Sequence, residues 1–142
     1  DKIDEIMEQV KCPVAVFVNR QYREGSTVSF VLGGMIDLFL FSYLDKMLQN
    51  GHSVRLFLFD TDDEEFRGRI DDLQVRYPEQ TMIVWFAGVE DLVTEEKDGL
   101  LIMSHLSYTK LSEDEAVMRE LSSLLVIRRN KNTGDKNEGL EN

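Results

Sequence analysis

Thr27–Gly51 reads TVSFVLGGMIDLFLFSYLDKMLQNG. Val28 to Leu32 is a short apolar run of β-favouring residues. Gly33 and Gly34 break it, and an amphipathic stretch follows that ends at Gly51. The order is strand, tight turn, helix and C-cap. A second apolar run, Val54 to Phe59, follows directly. Two parallel strands need a crossover of about a dozen residues or more, usually a helix. Thr27–Gly51 supplies that crossover, so the sheet it starts is parallel.

The rest of the chain repeats the alternation. Pro13–Val18, Met82–Phe86, Leu100–Met103 and Leu124–Ile127 are further apolar runs with strand character. Between them, Thr61-Asp62-Asp63-Glu64 has the form of a capping box and opens a helix that runs to about Arg76, before Pro78. Phe66, Ile70 and Leu73 are its inward stripe. Gly88–Lys97 is a short acidic helix or turn. Ser104–Lys110 reads as a polar loop. Ser112–Glu115 is a second capping box, before Ala116, Val117, Met118 and Leu121. Strands alternating with helices imply an α/β fold, a three-layer sandwich with a mainly parallel sheet. Residues 1–11 are expected to be a linker helix, with Ile3, Ile6, Met7 and Val10 at helical spacing. Residues 12–130 form the domain, and the polar residues 131–142 are expected to be a disordered tail.

On a wheel of about 100° per residue, Ile36, Phe39, Leu40, Tyr43, Leu44 and Met47 share one arc of the first helix. Asp37, Ser42, Asp45, Lys46 and Gln49 share the other, and Leu38 and Phe41 fall within this polar arc. Scattered surface apolar residues are normal. The sharper reading makes Leu38 and Phe41 an interaction surface.

The 142 residues suffice for one full core, with 42% hydrophobic and 30% charged residues. The formal net charge is 16 − 27 = −11, which opposes binding to nucleic acid or anionic lipid. Cys12 is the only cysteine, so no intrachain disulfide forms. Val28–Leu44 imitates a membrane span, but Gly33-Gly34 and Asp37 interrupt it, and it falls short of about 20 residues. A soluble chain is expected.

Four segments, in order, resemble one family. Cys12-Pro13-Val14-Ala15-Val16-Phe17-Val18-Asn19-Arg20 is similar to the family's CPVGIFVDRG segment. Val31-Leu32-Gly33-Gly34-Met35-Ile36-Asp37 is similar to its strand ending in FGGxxD. Asp98-Gly99-Leu100-Leu101-Ile102-Met103 resembles DLLIVG. Glu120-Leu121-Ser122-Ser123-Leu124-Leu125-Val126-Ile127 resembles a closing strand that reads SVLVVQ. The family is the cytosolic C-terminal region of monovalent cation:proton (sodium/hydrogen) antiporters, built from universal-stress-protein-like α/β halves. The resemblance covers roughly Val10 to Asn130. It implies a universal-stress-protein/Rossmann-like sheet. Its N-terminal strand, Pro13–Val18, should lie antiparallel at the edge beside Leu124–Ile127. It also implies a regulatory and interaction domain on the cytoplasmic side of the cell membrane. That domain would have no transport or catalytic activity of its own. Its partners would be an upstream membrane transporter domain and a homodimeric or pseudo-dimeric mate.

The alternative is a stand-alone universal-stress-type protein that binds ATP or AMP. Nucleotide-binding members of that family carry an acidic residue at the end of the first strand and a G-x-x-G loop after the fourth. Here Gly33 and Gly34 hold the first position, with Asp37 further on. The segment Ser104-His105-Leu106-Ser107-Tyr108-Thr109-Lys110 has no glycine to let backbone amides approach a phosphate. The candidate ligand residues are therefore Gly33, Gly34, Asp37, Ser104, His105, Ser107 and Lys110, and no cofactor is expected. Thr109 with Ser107 and Lys110 could face a small anion. Asp60, Asp62 and Glu64 have alternate oxygen-ligand spacing, but Glu65 and Asp71 stand where a calcium loop needs glycine and glutamate, so no metal is expected. No G-x-S-x-G, C-x-x-C, P-loop or H-E-x-x-H occurs, and His52 and His105 have no nucleophile in a triad pattern. No enzyme activity is expected.

Overall fold

The computed structural model describes residue 3 and residues 14–59, 62–93 and 99–129. The strands are β1 (Val14–Val18), β2 (Val28–Leu32), β3 (Val54–Phe59), β4 (Thr81–Phe86), β5 (Leu100–Ser104) and β6 (Ser123–Arg128). The helices are α1 (Phe41–Gln49), α2 (Glu64–Arg76), α3 (His105–Leu111) and α4 (Glu115–Glu120), with 3-10 turns at Met35–Leu40 and Val89–Leu92. One sheet of six strands has the order β1-β6-β5-β2-β3-β4. All neighbours are parallel except β1 and β6, which pair antiparallel from Val14 opposite Arg128 to Val18 opposite Leu124. The edge arrangement implied by the resemblance is the one observed.

Strand alternation divides the core into two layers. Phe30, Leu32, Leu56, Leu58, Ile102 and Ile127 point to one face, where Leu40, α1 (Leu44, Leu48) and α2 (Phe66, Ile70, Leu73) cover them. Val31, Phe57, Leu101, Met103, Leu124 and Val126 point to the other. Leu92, α3 (Tyr108, Leu111) and Leu121 cover that face, with Val117 and Met118 of α4 packed against it. The protein is thus a three-layer α/β sandwich. Each large side chain buried this way contributes about 1.5–3 kcal/mol.

The segment after Gly34 is not one α-helix. Met35–Leu40 is 3-10, and only from Phe41 does the α form take over. A 3-10 turn advances about 120° per residue, so residues three apart share a face. Asp37 and Leu40 do so, and both are fully buried. Met35, Leu38 and Phe41 form the neighbouring row. Phe41 packs on the first core layer, edge-on to Phe66 with ring centroids 6.4 Å apart. A wheel at 100° puts Asp37 on the solvent arc and Phe41 on an interaction surface. The tighter pitch reverses both, and Leu38 is half-buried. Helix α1 ends in a Schellman motif. The Gly51 amide donates to Leu48 O, the His52 amide donates to Met47 O, and Gly51 has φ +87°.

Three further expectations are corrected. Ser104–Lys110 is not a loop: Ser104 ends β5 and its side chain caps α3, accepting from the Ser107 amide. The cap of α4 is Asp114, which accepts from the Val117 amide, while Ser112 is the C-cap of α3. The cap of α2 is Asp63, accepting from the Glu65 and Phe66 amides. Carboxylates win at both sites because they bring a full charge to the positive helix end as well as an acceptor. Thr61 lies outside the described residues, as do Asp60, Cys12, Pro13, the tail 131–142 and residues 1–11 apart from Ile3. Ile3 is helical and packs against the second core layer. Among the described residues no helix is long and apolar enough to cross a membrane.

Candidate functional site

From β2 the chain moves outward through β3 and β4. It then returns to the other side of β2 to lay down β5 and β6. The strand order therefore reverses between β2 and β5, and ligands of open α/β sheets bind at such a point, beyond the carboxyl ends of the strands. The β2–β5 register runs from Val28 opposite Leu100 to Phe30 opposite Ile102. This brings Gly33, just past β2, and Ser104, the last residue of β5, to the same rim.

Asp37 sits between the two chain crossings. Its Oδ2 accepts from the Gly33 amide at 2.6 Å and from the Ser107 hydroxyl at 3.3 Å. Ser107 in turn donates its amide to Ser104 Oγ at 3.1 Å. Asp37, Ser104 and Ser107 are all buried. The other Asp37 oxygen, Oδ1, is buried and has no hydrogen-bond partner among the described residues. Burial is the largest influence on this carboxyl and pushes its pKa above the ordinary 3.8. The Gly33 amide, the Ser104 and Ser107 hydroxyls and the Lys110 charge pull it back only in part. Gly34 has φ +126°, and its chain direction starts the 3-10 turn that carries Asp37 inward. A side chain at Gly33 would meet Asp37 Oδ2 at 3.3 Å and Phe59 at 3.6 Å.

Five of the seven candidate ligand residues thus form one assembly: Gly33, Gly34, Asp37, Ser104 and Ser107. His105 is the first residue of α3 and stacks on Tyr108, with centroids 6.5 Å apart. Lys110 is exposed in the last turn of α3 and reaches the group through its charge alone. What the sequence did not disclose is that Asp37 turns inward and binds its own strand end. The available signal was spacing, since Gly33 and Asp37 stand four residues apart, about one helical turn.

The arrangement is self-satisfied on Oδ2 and incomplete on Oδ1. The Ser107 hydroxyl and the Asp37 carboxyl form a buried hydroxyl–carboxyl pair at 3.3 Å. A carboxyl already occupies the Gly33 amide, which at a phosphate site would face the ligand. Among the described residues no three His, Cys, Asp or Glu side chains are grouped to hold a metal. A separate open cleft of about 740 Å³ lies at the opposite rim, lined in part by Tyr22, Glu24, His52, Arg55, Glu79 and Gln80. Gln80 spans part of it, donating from Nε2 to Leu48 O at 2.9 Å and to His52 O at 2.7 Å.

No family model, no curated protein and no solved structure matches this chain.

Proposed function

We propose that this chain is a universal-stress-protein-like regulatory and interaction domain of a monovalent cation:proton antiporter, with no transport or catalytic activity of its own. The observation that carries the reading is the edge of the sheet. A short strand ahead of the parallel unit returns antiparallel onto the last strand, Val16 opposite Val126, as the resemblance implies for two such halves that exchange closing strands. The strand order, with its reversal between β2 and β5, suits the same family. In this reading the domain works through its surfaces. It docks against the cytoplasmic side of the transporter domain and against a second such unit, and it biases transport by favouring one of two arrangements.

Two measurements test it. The reading frame ahead of Asp1 should encode a series of apolar segments, each about 20 residues long. In proteoliposomes, the full-length protein should exchange cations for protons, and removing residues 12–130 should change the rate or its dependence on conditions. An upstream frame without such segments sinks the reading.

The nucleotide-binding alternative draws on the location of Asp37, Ser104 and Ser107 at the switch point. The Asp37 carboxyl takes the Gly33 amide and Ser107 hydroxyl, and that disfavours a phosphate in the same space. Calorimetric titration with ATP and AMP separates the two. Saturable heat would favour the alternative.

A further inference from the structure

We propose that Asp37 is a proton-binding site, and that gain or loss of this proton sets how tightly α3 is held to the end of β2. The inference stands apart from the antiporter reading, and either can fail without the other.

Its basis is the asymmetry of the carboxyl. Oδ2 takes both donors, one from each crossing: the Gly33 amide behind β2 and the Ser107 hydroxyl behind β5. Oδ1 takes none among the described residues and is buried. A proton belongs on Oδ1, because Oδ2 is already an acceptor twice over. A neutral hydroxyl left unpaired in the interior costs far less than a bare carboxylate oxygen. When the proton leaves for solvent, the negative charge has to be compensated. Among the described residues the surroundings offer little. From β2 it meets the Gly33 amide, from β5 the Ser104 hydroxyl and from α3 the Ser107 hydroxyl, while the ring of Phe59 on β3 stands beside Gly33. The charged group acting on it is Lys110, whose side chain is exposed in the last turn of α3. The other titratable groups of α3, His105 and Tyr108, stack on each other. Water or the Lys110 ammonium reaches Oδ1 only if α3 shifts away from the 3-10 turn. Helix α3 runs through Ser112–Asp114 into α4, whose last carbonyls are held by Arg20, the residue that follows β1 and Asn19. The proton site is thereby connected to the sheet edge.

The test follows the Asp37 Cγ resonance by carbon-13 NMR in the full chain, from about pH 2.5 to about pH 9. Hydrogen-exchange protection factors of the Gly33 amide and of the α3 amides are measured over the same range. The carboxyl should titrate above 3.8. Protection at Gly33 and in α3 should fall several-fold over the same interval, and Asp37→Asn should abolish that dependence. A Cγ midpoint at or below 3.8 overturns the proposal. So does a titration that leaves protection unchanged, or an Asp37→Asn protein with wild-type pH dependence. Should that variant not fold, Ser107→Ala serves in its place. It removes a donor to the charged form, so the midpoint moves further up, and an unmoved midpoint overturns the proposal equally.

Discussion

The Gly33 amide and the Asp37 carboxyl hold each other at 2.6 Å across a single 3-10 turn. That contact fixes an ionisable side chain on the buried row of the turn. It also explains why two glycines precede it. A Cβ at Gly33 would come to 3.3 Å from Asp37 Oδ2, which would have to give slightly, and would make ordinary contact with Phe59 and the Ser107 hydroxyl. Gly34 has a backbone conformation that side chains disfavour. Gly33→Ala should destabilise by about 0.5–1 kcal/mol, because only the approach to Asp37 Oδ2 is tight. Gly34→Ala should do so by about 1–3 kcal/mol through backbone strain. Urea denaturation of both variants measures this, and unchanged midpoints would contradict the geometry.

Stability should depend on the Asp37 proton in a definite direction. Burial raises the folded-state pKa above the ordinary 3.8. The folded chain therefore binds this proton more tightly than the unfolded chain. The contribution is fully present below 3.8 and is lost as pH rises through the folded value. Asp37→Asn removes the titration, so wild type should lose stability relative to the variant across that window. Taking the difference at each pH cancels the other carboxylates. A difference that stays flat, or that grows in favour of wild type, refutes the assignment.

Phe41 and Leu38 separate core from surface. Phe41 packs edge-on against Phe66, so Phe41→Ala should cost about 2 kcal/mol, less than the about 3–5 of a fully buried ring. Leu38 is half-buried and belongs to neither core layer. Leu38→Ser should change stability by about 0.5 kcal/mol or less. Thermal melts rank the two, and the reverse ranking would restore the wheel at 100°.

The helix caps make a similar contrast. Asp63→Ala and Asp114→Ala should each cost about 1 kcal/mol, because each carboxylate accepts from the first turn it precedes. Ser112 bonds backward to Thr109 O at 2.9 Å, so Ser112→Ala should cost α4 nothing at its start. Comparable losses for Ser112 and Asp114 would show that the capping box operates after all.

Arg20 fastens the sheet edge to α4. Its Nη1 donates to Met118 O at 2.6 Å and Leu121 O at 2.9 Å, and its amide donates to Ser123 Oγ at 2.8 Å. Arg20→Ala should lower stability by about 1.5–3 kcal/mol, and exchange in β1 should rise with it. Equal protection of β1 in the variant would mean that the strand holds without this clasp.

Six strands were legible because each is a short run of β-branched, aromatic or leucine residues between polar punctuation. Their ends moved by a residue or so, as with Thr81 before β4 and Ser104 after Met103. Helix α3 was hidden because its buried residues, Ser107, Tyr108 and Leu111, include a serine that sequence reading assigns to a loop. Pitch concealed the inward turn of Asp37. Periodicity analysis assumes 3.6 residues per turn, and a six-residue 3-10 segment at 3.0 shifts every side chain after its first. The site residues were named from the resemblance and from their place after strands. Their mutual bonding came from tertiary contact between residues 70 positions apart, which no local pattern records.

The antiparallel pairing of β1 with β6 also has a temporal consequence. Of the six described strands β1 is made first, and its partner β6 is made last. Joining them closes a loop of about a hundred residues, and such non-local contacts come late in folding. The parallel strands β2 to β6 can assemble first, and β6 then waits with an open edge. Until β1 returns, that edge is free to accept the same strand from another copy. Closing that edge from within the chain thus competes with pairing to a neighbour, and a higher concentration during folding favours the neighbour.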